Sequence, residues 1–381
     1  MLKLRHSLRR GLIWIHLWLG LTAGLFFLLL GASGGVLALR PQISRWFFPP
    51  PVATRGCASP VDWNRAERLV ERFTGSRIDR VYLPAGGDRL VHFRMMGDQD
   101  KIYRHTIYDI CAAQVAGAAH LEWMDWVVDF HHNLRAGRTG RTLGGVIAIA
   151  MLVSGVGGLL VWMLSGANIR GLLRGPAGRS RTGAMLYLHR AIGLTAGCVL
   201  ILASFTALWL CFPRTMRWML SNCSLAIHAR AKLRAAPSPR PARATLGSLI
   251  SAAERAIPGG SNRVIRMPEG RGPVRVRMWR PGDFSSLGDN VVTLNSSSAH
   301  VLSVNLYSAQ PTGNRFVEAM ADLHHGEWGG LWFRWIYAAA GLLTPALAVT
   351  GFLKWWYSRR RRLPARSRPH QPVGAVAPSG Y

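Results

Sequence analysis

The sequence predicts an α-helical membrane protein, with four transmembrane helices in two parallel repeats and two small α+β domains outside the bilayer. Three observations lead there. Four stretches run for 19 to 29 residues without Asp, Glu, Lys or Arg. All 18 acidic residues fall in two long segments between those stretches. A histidine-centred motif occurs twice.

The charge-free stretches are Gly11 to Leu39, Thr142 to Ile169, Ala191 to Pro213 and Trp335 to Leu353. The third apolar pattern begins earlier, near Ala184. A helix crosses the hydrocarbon layer with about 20 apolar residues, so all four suffice. The first stretch is far longer than the roughly 7–15 apolar residues of a cleaved signal. The expected organisation is therefore an N-terminal segment 1–10, spans over 11–39, 142–165, 183–213 and 335–357, long outside segments 40–141 and 214–334, a link 166–182 and a tail 358–381.

Charge sets the expected orientation. The chain carries 47 Lys+Arg against 18 Asp+Glu, a net charge of +29, with a pI near 11.6 and a mean hydropathy of +0.13. Such charge suggests nucleic-acid binding until its placement is read. Residues 1–10, the 166–182 link and the tail from Lys354 together hold 15 Lys and Arg and no acid. Short basic segments stay on the cytoplasmic side. Both termini and the link are thus expected in the cytoplasm of a bacterial inner-membrane protein. Topology accounts for the basic runs, and no nucleic-acid partner is expected. Five Cys with no CxxC or CxxCH exclude an iron–sulfur cluster, a zinc ribbon and covalent c-type haem. No P-loop, metalloprotease motif or Ser-His-Asp order supports an ATPase or hydrolase.

The repeat shows directly in the residues. His16-Leu-Trp-Leu-Gly-Leu-Thr-Ala-Gly24 returns as His189-Arg-Ala-Ile-Gly-Leu-Thr-Ala-Gly197, six of nine positions identical. Asp129-Phe-His131-His132 returns as Asp322-Leu-His324-His325. Each His-His is followed by a span with a hydroxyl–Gly step and then Trp: Ser154-Gly155 and Trp162, Thr350-Gly351 and Trp355. The unit is span, outside domain, His-His, span. Both copies have the same orientation, as in a repeat about an axis along the membrane normal.

In the first outside segment, helical spacing covers 62–73 and strand-like runs cover 77–83, 89–95 and 102–108. In the second, a helix is expected over 245–257 and strands over 263–267, 274–279, 290–294 and 300–306. The segments 107–117 and 292–302 both read strand–turn–strand. Residues 231–243 read as a Pro/Arg-rich linker and 363–381 as a disordered tail. Cys57 and Cys111 share the first outside segment, which faces an oxidising compartment, and a disulfide between them is expected.

His16 and His189 lie inside spans, where an ionisable side chain is costly and signals function. Gly20, Gly24, Gly193 and Gly197 would let a backbone or a flat macrocycle come close. The two His-His pairs lie at the opposite face, beside the Trp123, Trp126, Trp328 and Trp332 belt. One span separates the levels by roughly 30 Å, too far for one metal. His16 should therefore pair with His189, and one of His131/His132 with one of His324/His325. Neighbouring residues point about 100° apart on a helix, so each pair offers one ligand to a centre, and the sequence leaves open which. Two His-only sites at opposite faces suit two b-type haems, with copper or zinc on imidazole as the alternative. Arg190, Arg141 and Arg334 are candidate partners for haem propionates. His6, His92, His105, His120, His228, His300 and His370 read as surface residues, and Cys198 and Cys211 as inert thiols within the third span.

Over residues 5–358 this layout resembles the PepSY-associated transmembrane helix proteins, a group that includes iron-regulated inner-membrane proteins and FoxB-type ferric-siderophore reductases. The matching features are the His-x-x-x-Gly-Leu-Thr-Ala-Gly span, the two outside domains and the His-His before the second span of each half. The resemblance implies PepSY-like periplasmic domains, bound haem, and electron transfer to a ferric siderophore from a cytoplasmic or membrane donor. A membrane sensor that binds partners through its outside domains, and a siderophore transporter, are the competing expectations.

Overall fold

The computed structural model describes residues 2–52, 57, 60–86, 88–97, 103–166, 175, 178, 180–222, 243–268, 270 and 272–360. The 363–381 tail, all but Arg243 of the 231–243 linker, His228 and His370 lie outside these residues. The first half contains α1 (Leu2–Ala38), α2 (Arg40–Trp46), α3 (Trp63–Thr74), β1 (Ile78–Tyr82), β2 (Leu90–Met95), β3 (His105–Asp109), β4 (Gln114–Ala119), α4 (Glu122–Asn133) and α5 (Gly137–Leu164). The second half contains α6 (Arg181–Cys211), α7 (Pro213–Asn222), α8 (Leu246–Ala256), β5 (Ser261–Arg266), β6 (Val274–Trp279), β7 (Asn290–Leu294), β8 (Val301–Asn305), α9 (Thr312–His324) and α10 (Gly330–Arg360).

The helices α1, α5, α6 and α10 are long and apolar enough to cross a membrane. Their exposed side chains include Trp14, Leu25, Val146, Leu342 and Phe352, as a lipid-facing surface requires. The helices outrun the apolar stretches. α5 begins before Thr142 and α10 before Trp335, and α10 continues through Arg359 and Arg360. Apolarity marks the bilayer, whereas backbone hydrogen bonding continues into the water-facing turns.

Each long helix packs on two others. α1 and α6 each contact both α5 and α10, which places α1 and α6 on one diagonal of a four-helix bundle. The closest approach is between α1 and α10. A Cβ at Gly341 would lie 2.6 Å from the Gly31 carbonyl oxygen and 2.7 Å from the Gly35 backbone. Only small residues allow that separation, and in lipid such close packing takes the place of the hydrophobic effect between helices.

The strand sets read as two separate domains form one antiparallel sheet of order β4-β3-β2-β1-β5-β6-β7-β8. The halves join where β1 meets β5, through Arg80↔Arg266, Val81↔Ile265 and Tyr82↔Val264. Edge strands with alternating apolar residues are prone to pairing, and here each half's first strand covers the other's edge. One face buries Val81, Phe93, Ile265, Val276 and Val292 beneath Val70 of α3 and Leu249 of α8. Two side chains of α3 serve the start of α8: Glu67 Oε2 accepts from Leu246 N at 2.7 Å, and Asn64 Oδ1 from Gly247 N at 3.0 Å. Those amides have no partner within their own helix, so the two halves complete each other's hydrogen bonding.

Cys57 and Cys111 form a disulfide that ties the segment before α3 to the β3–β4 turn. We expect both thiols to resist alkylation in denatured, unreduced protein, and Cys57→Ser with Cys111→Ser to cost ~2–4 kcal/mol in denaturant melts. Two labelled thiols at these positions would disprove the bridge. Gly341→Leu should separate α1 from α10 and destabilise the bundle by at least ~1–3 kcal/mol. A thermal melt in detergent matching the wild type would show that the contact is slack.

Candidate functional site

Four histidines meet as two facing pairs. The His16 and His189 ring centres lie 5.9 Å apart across the α1–α6 diagonal. The His131 and His324 centres lie 6.2 Å apart at the sheet side of the bundle. Of the two His-His pairs, His131 and His324 are the rings brought face to face. Their neighbours His132 and His325 line the same space between bundle and sheet. Ser33 follows His16 by 17 positions on α1 and bonds His131, so the levels are about 25 Å apart along the helix.

All four rings are held by Nδ1. His16 Nδ1–H donates to the Ser154 carbonyl at 2.8 Å, with Ser154 Oγ at 3.1 Å. His189 Nδ1–H donates to the Leu347 carbonyl at 3.0 Å, with Thr350 Oγ1 at 3.4 Å. The Ser33 hydroxyl donates to the Leu29 carbonyl at 2.8 Å and so accepts from His131 Nδ1–H at 3.0 Å. His324 Nδ1–H lies 3.0 Å from both the Ala203 carbonyl and Thr206 Oγ1. These partners fix the tautomer and leave each Nε2 with a lone pair. Among the described residues no Nε2 of the four has a hydrogen-bond partner. An imidazole tied back by one nitrogen and open at the other is the arrangement of a metal ligand.

The rings are also wedged by glycine. A Cβ at Gly158 would lie 2.9 Å from the His16 ring, one at Gly351 3.1 Å from His189, and one at Gly34 3.0 Å from His131. By contrast, a Cβ at Gly20, Gly24 or Gly197 would meet nothing within 4 Å. A Cβ at Gly193, the fourth glycine expected to admit a backbone or a flat macrocycle, would meet Leu347 at 3.6 Å.

A b-type haem fits these residues. Two imidazoles on opposite faces of one metal, each bonded at about 2 Å, place their ring centres about 6 Å apart. Among the described residues, no cluster of three or more His, Cys, Asp or Glu could hold a bare metal ion. Two imidazoles leave copper or zinc under-ligated, whereas a macrocycle brings the remaining nitrogens.

Arg141 and Arg334 line the sheet-side space, and Arg190 directly follows His189. Arg334 is buried, 3.6 Å from Glu327 Oε1 and 3.4 Å from Ser286 Oγ. A cavity of about 2050 Å³ lies between bundle and sheet and takes in all four sheet-side histidines. Asp322, two residues before His324, is buried there, and its carboxyl is pushed up to about 7 by burial and by Glu327 and Asp289 nearby.

Two histidines expected on the surface are interior. His105 is buried and donates from Nε2 to Asp125 at 2.8 Å. Its Nδ1 accepts from His92 Nε2 at 2.8 Å, and His92 stacks on Tyr82 at 5.0 Å. Each sits on a strand whose outward face would ordinarily be solvated, but here that face looks at α4 and the bundle. His6, His120 and His300 are exposed. Cys198 and Cys211, both in α6, carry free thiols. Ser33 and Thr206 went unread as site residues, although they sit at the 173-residue offset that relates His16 to His189.

The fold and the histidine pairs define a multi-pass membrane protein with an interior suited to paired-imidazole ligation and a sheet domain over one end. The family model of the PepSY-associated TM region matches residues 13–358, and the chain belongs to that family. No curated protein matches it.

Burial, with the charges of His105, Arg40 and Arg94, holds His92 well below the ordinary imidazole value. The folded state keeps this ring neutral, while an unfolded His takes up a proton below about pH 6.5. Stability should therefore fall as pH drops through 6.5 and recover above it. Melting temperatures of the full chain between pH 5.5 and 7.5 should show a shallower slope for His92→Gln than for wild type. Equal slopes would remove His92 as a source of acid sensitivity.

Proposed function

We propose that the chain is a bacterial inner-membrane protein that holds two b-type haems and passes electrons to a ferric siderophore at the periplasmic face. The single observation that carries this reading is the set of four Nδ1-anchored imidazoles in two facing pairs. The basic segments put both termini in the cytoplasm and the sheet in the periplasm. His16 and His189 would hold the cytoplasmic-side haem, His131 and His324 the periplasmic-side haem. The haem irons, when bound, supply reversible one-electron chemistry.

The residues of the chain do the rest. Ser154, Leu347, Ser33 and Ala203 orient the imidazoles and fix their tautomers. Anchored rings reorganise little when the ligated metal changes charge. Arg141 and Arg334 place positive charge beside the sheet-side pair, where propionates or an anionic ligand would be stabilised. The cavity admits a bulky chelate that cannot enter the bilayer, so it would meet electrons only at the periplasmic level. One electron converts chelated Fe(III) to Fe(II), which siderophores hold weakly. The donor is a one-electron reductant in the cytoplasm or the membrane.

Haem quantification tests this. His16→Ala and His189→Ala should each remove one haem and the same one, while His131→Ala and His324→Ala should each remove the other. Ser33→Ala and Thr206→Ala should keep the sheet-side haem but lower its affinity about 10–100-fold. Oxidation of the dithionite-reduced protein by a ferric siderophore should cease in the His131 and His324 variants and leave the other haem reducible. A colourless wild-type protein would refute the reading.

A further inference from the structure

The sheet face over the cavity carries a row of three arginines, continued on β2 by Arg94, which stands opposite Arg80 but pairs with Asp79. Arg80 on β1 stands opposite Arg266 on β5, and Arg266 opposite Arg275 on β6. The row runs on through Thr293 on β7 and Ser303 on β8. Arg80, Arg266, Arg275, Thr293 and Ser303 line the cavity rather than the helix-covered core. Like charges directly opposite on paired strands repel one another and destabilise a sheet. Arg94 pairs with Asp79, Arg277 with Asp289 and Arg89, just before β2, with Asp109, while Arg263 on β5 donates to the Pro84 carbonyl. Arg266 and Arg275 are exposed to the cavity, and among the described residues no carboxylate pairs with them. Arg80 donates to Tyr82 Oη at 3.3 Å and keeps a buried Nε without a partner.

The carboxylates that share the cavity have their own surroundings: Glu318 accepts from Gln310, and Asp322 is buried beside Glu327 and Asp289. Asp88 meets Arg45, Glu327 meets Arg334 and Ser285, and Asp289 accepts from the Phe284 and Ser285 amides. The row thus offers guanidinium and hydroxyl donors with which no carboxylate among the described residues forms an ion pair. Guanidinium recognises carboxylate with paired, charge-assisted bonds.

We propose that Arg80, Arg266 and Arg275 form an anion-recognition row that selects metal chelates carrying free carboxylates over neutral chelates. This rests on the ferric-chelate reading above and names its substrate class. Arg277 stands one step along the same face, and the cavity that the row lines also takes in the sheet-side histidines. The shared chemistry, an exposed oxyanion, could also come from an anionic lipid headgroup.

The test uses the full-length, haem-loaded protein in phosphatidylcholine nanodiscs. Gallium(III) citrate and a neutral gallium(III) trishydroxamate, both redox-inert, are the probes, with binding read by calorimetry. Wild type should bind the citrate chelate. R266Q with R275Q should weaken it about 100-fold, about tenfold per guanidinium, while haem spectra and trishydroxamate affinity stay unchanged. Unchanged citrate affinity, or equal loss for both chelates, would overturn the proposal. So would a wild-type protein that fails to bind citrate but retains phosphatidylglycerol on extraction, where the double variant does not.

Ferric citrate separates the two readings. If gallium citrate binding needs the arginines but ferric citrate fails to oxidise reduced haem, the anion site stands and the reductase reading fails. If wild type and double variant are oxidised with the same half-saturating concentration, the reductase reading stands and the anion row falls.

Discussion

The hydrogen bond from each half-buried imidazole Nδ1 to a neighbouring helix is the constraint on which the rest depends. His16 reaches from α1 to α5, and His189 from α6 to α10. His131 reaches from α4 to α1, and His324 from α9 to α6. Each bond therefore crosses between two elements of one half and sets their rotation. A polar group in an apolar interior is expensive unless it is satisfied, so each ring needs its carbonyl or hydroxyl in place. The partners are carbonyls that also serve their own helix, or hydroxyls bonded back to it. That is why Ser33, Ser154, Thr206 and Thr350 occur where Leu or Val would otherwise serve a lipid-embedded helix.

With rotation fixed, glycine sets the spacing. Gly158, Gly351 and Gly34 sit against the rings themselves, where any Cβ would displace the imidazole. Gly31, Gly35 and Gly341 bring α1 and α10 into backbone contact elsewhere in the bundle. The bundle is thus tight between α1 and α10 and open beside Gly20, Gly24 and Gly197. A four-helix arrangement in water would fill that space with Leu or Phe to reach native packing density.

Much of this was legible in the residues. Apolar length and charge placement marked the spans, and the repeated His-x-x-x-Gly-Leu-Thr-Ala-Gly marked the helices that carry the facing His16 and His189. The fusion of the two strand sets was not legible, because β1 and β5 show the same alternation whether they are edges or centre strands. The covered positions of His92 and His105 were hidden for a separate reason. A strand's second face reads as solvent-exposed unless another layer covers it, and here the covering layer is α4, distant in sequence from β2. Which of His131 and His132 faces His324 also escaped the sequence. Both residues lie on α4, and only the rotation set by Ser33 decides which ring does so.

The two halves are alike at the histidines and unlike above them. Asp129 pairs with Arg135 and Asn133, whereas its repeat counterpart Asp322 is buried near other carboxylates. The seam of the sheet explains why both can coexist. Because β1 pairs with β5, the cavity has one roof built from both repeats, and a row crossing β1, β5 and β6 belongs to neither half alone. The level of the facing imidazoles keeps the symmetry of the repeat. The cavity wall does not: His92 and Tyr82 stand on one side of the seam, Arg275 and Arg277 on the other. Divergence confined to the cavity wall, over a symmetric pair of rings, is what a repeat protein would show if the lower level served a common cofactor and the upper level a particular ligand.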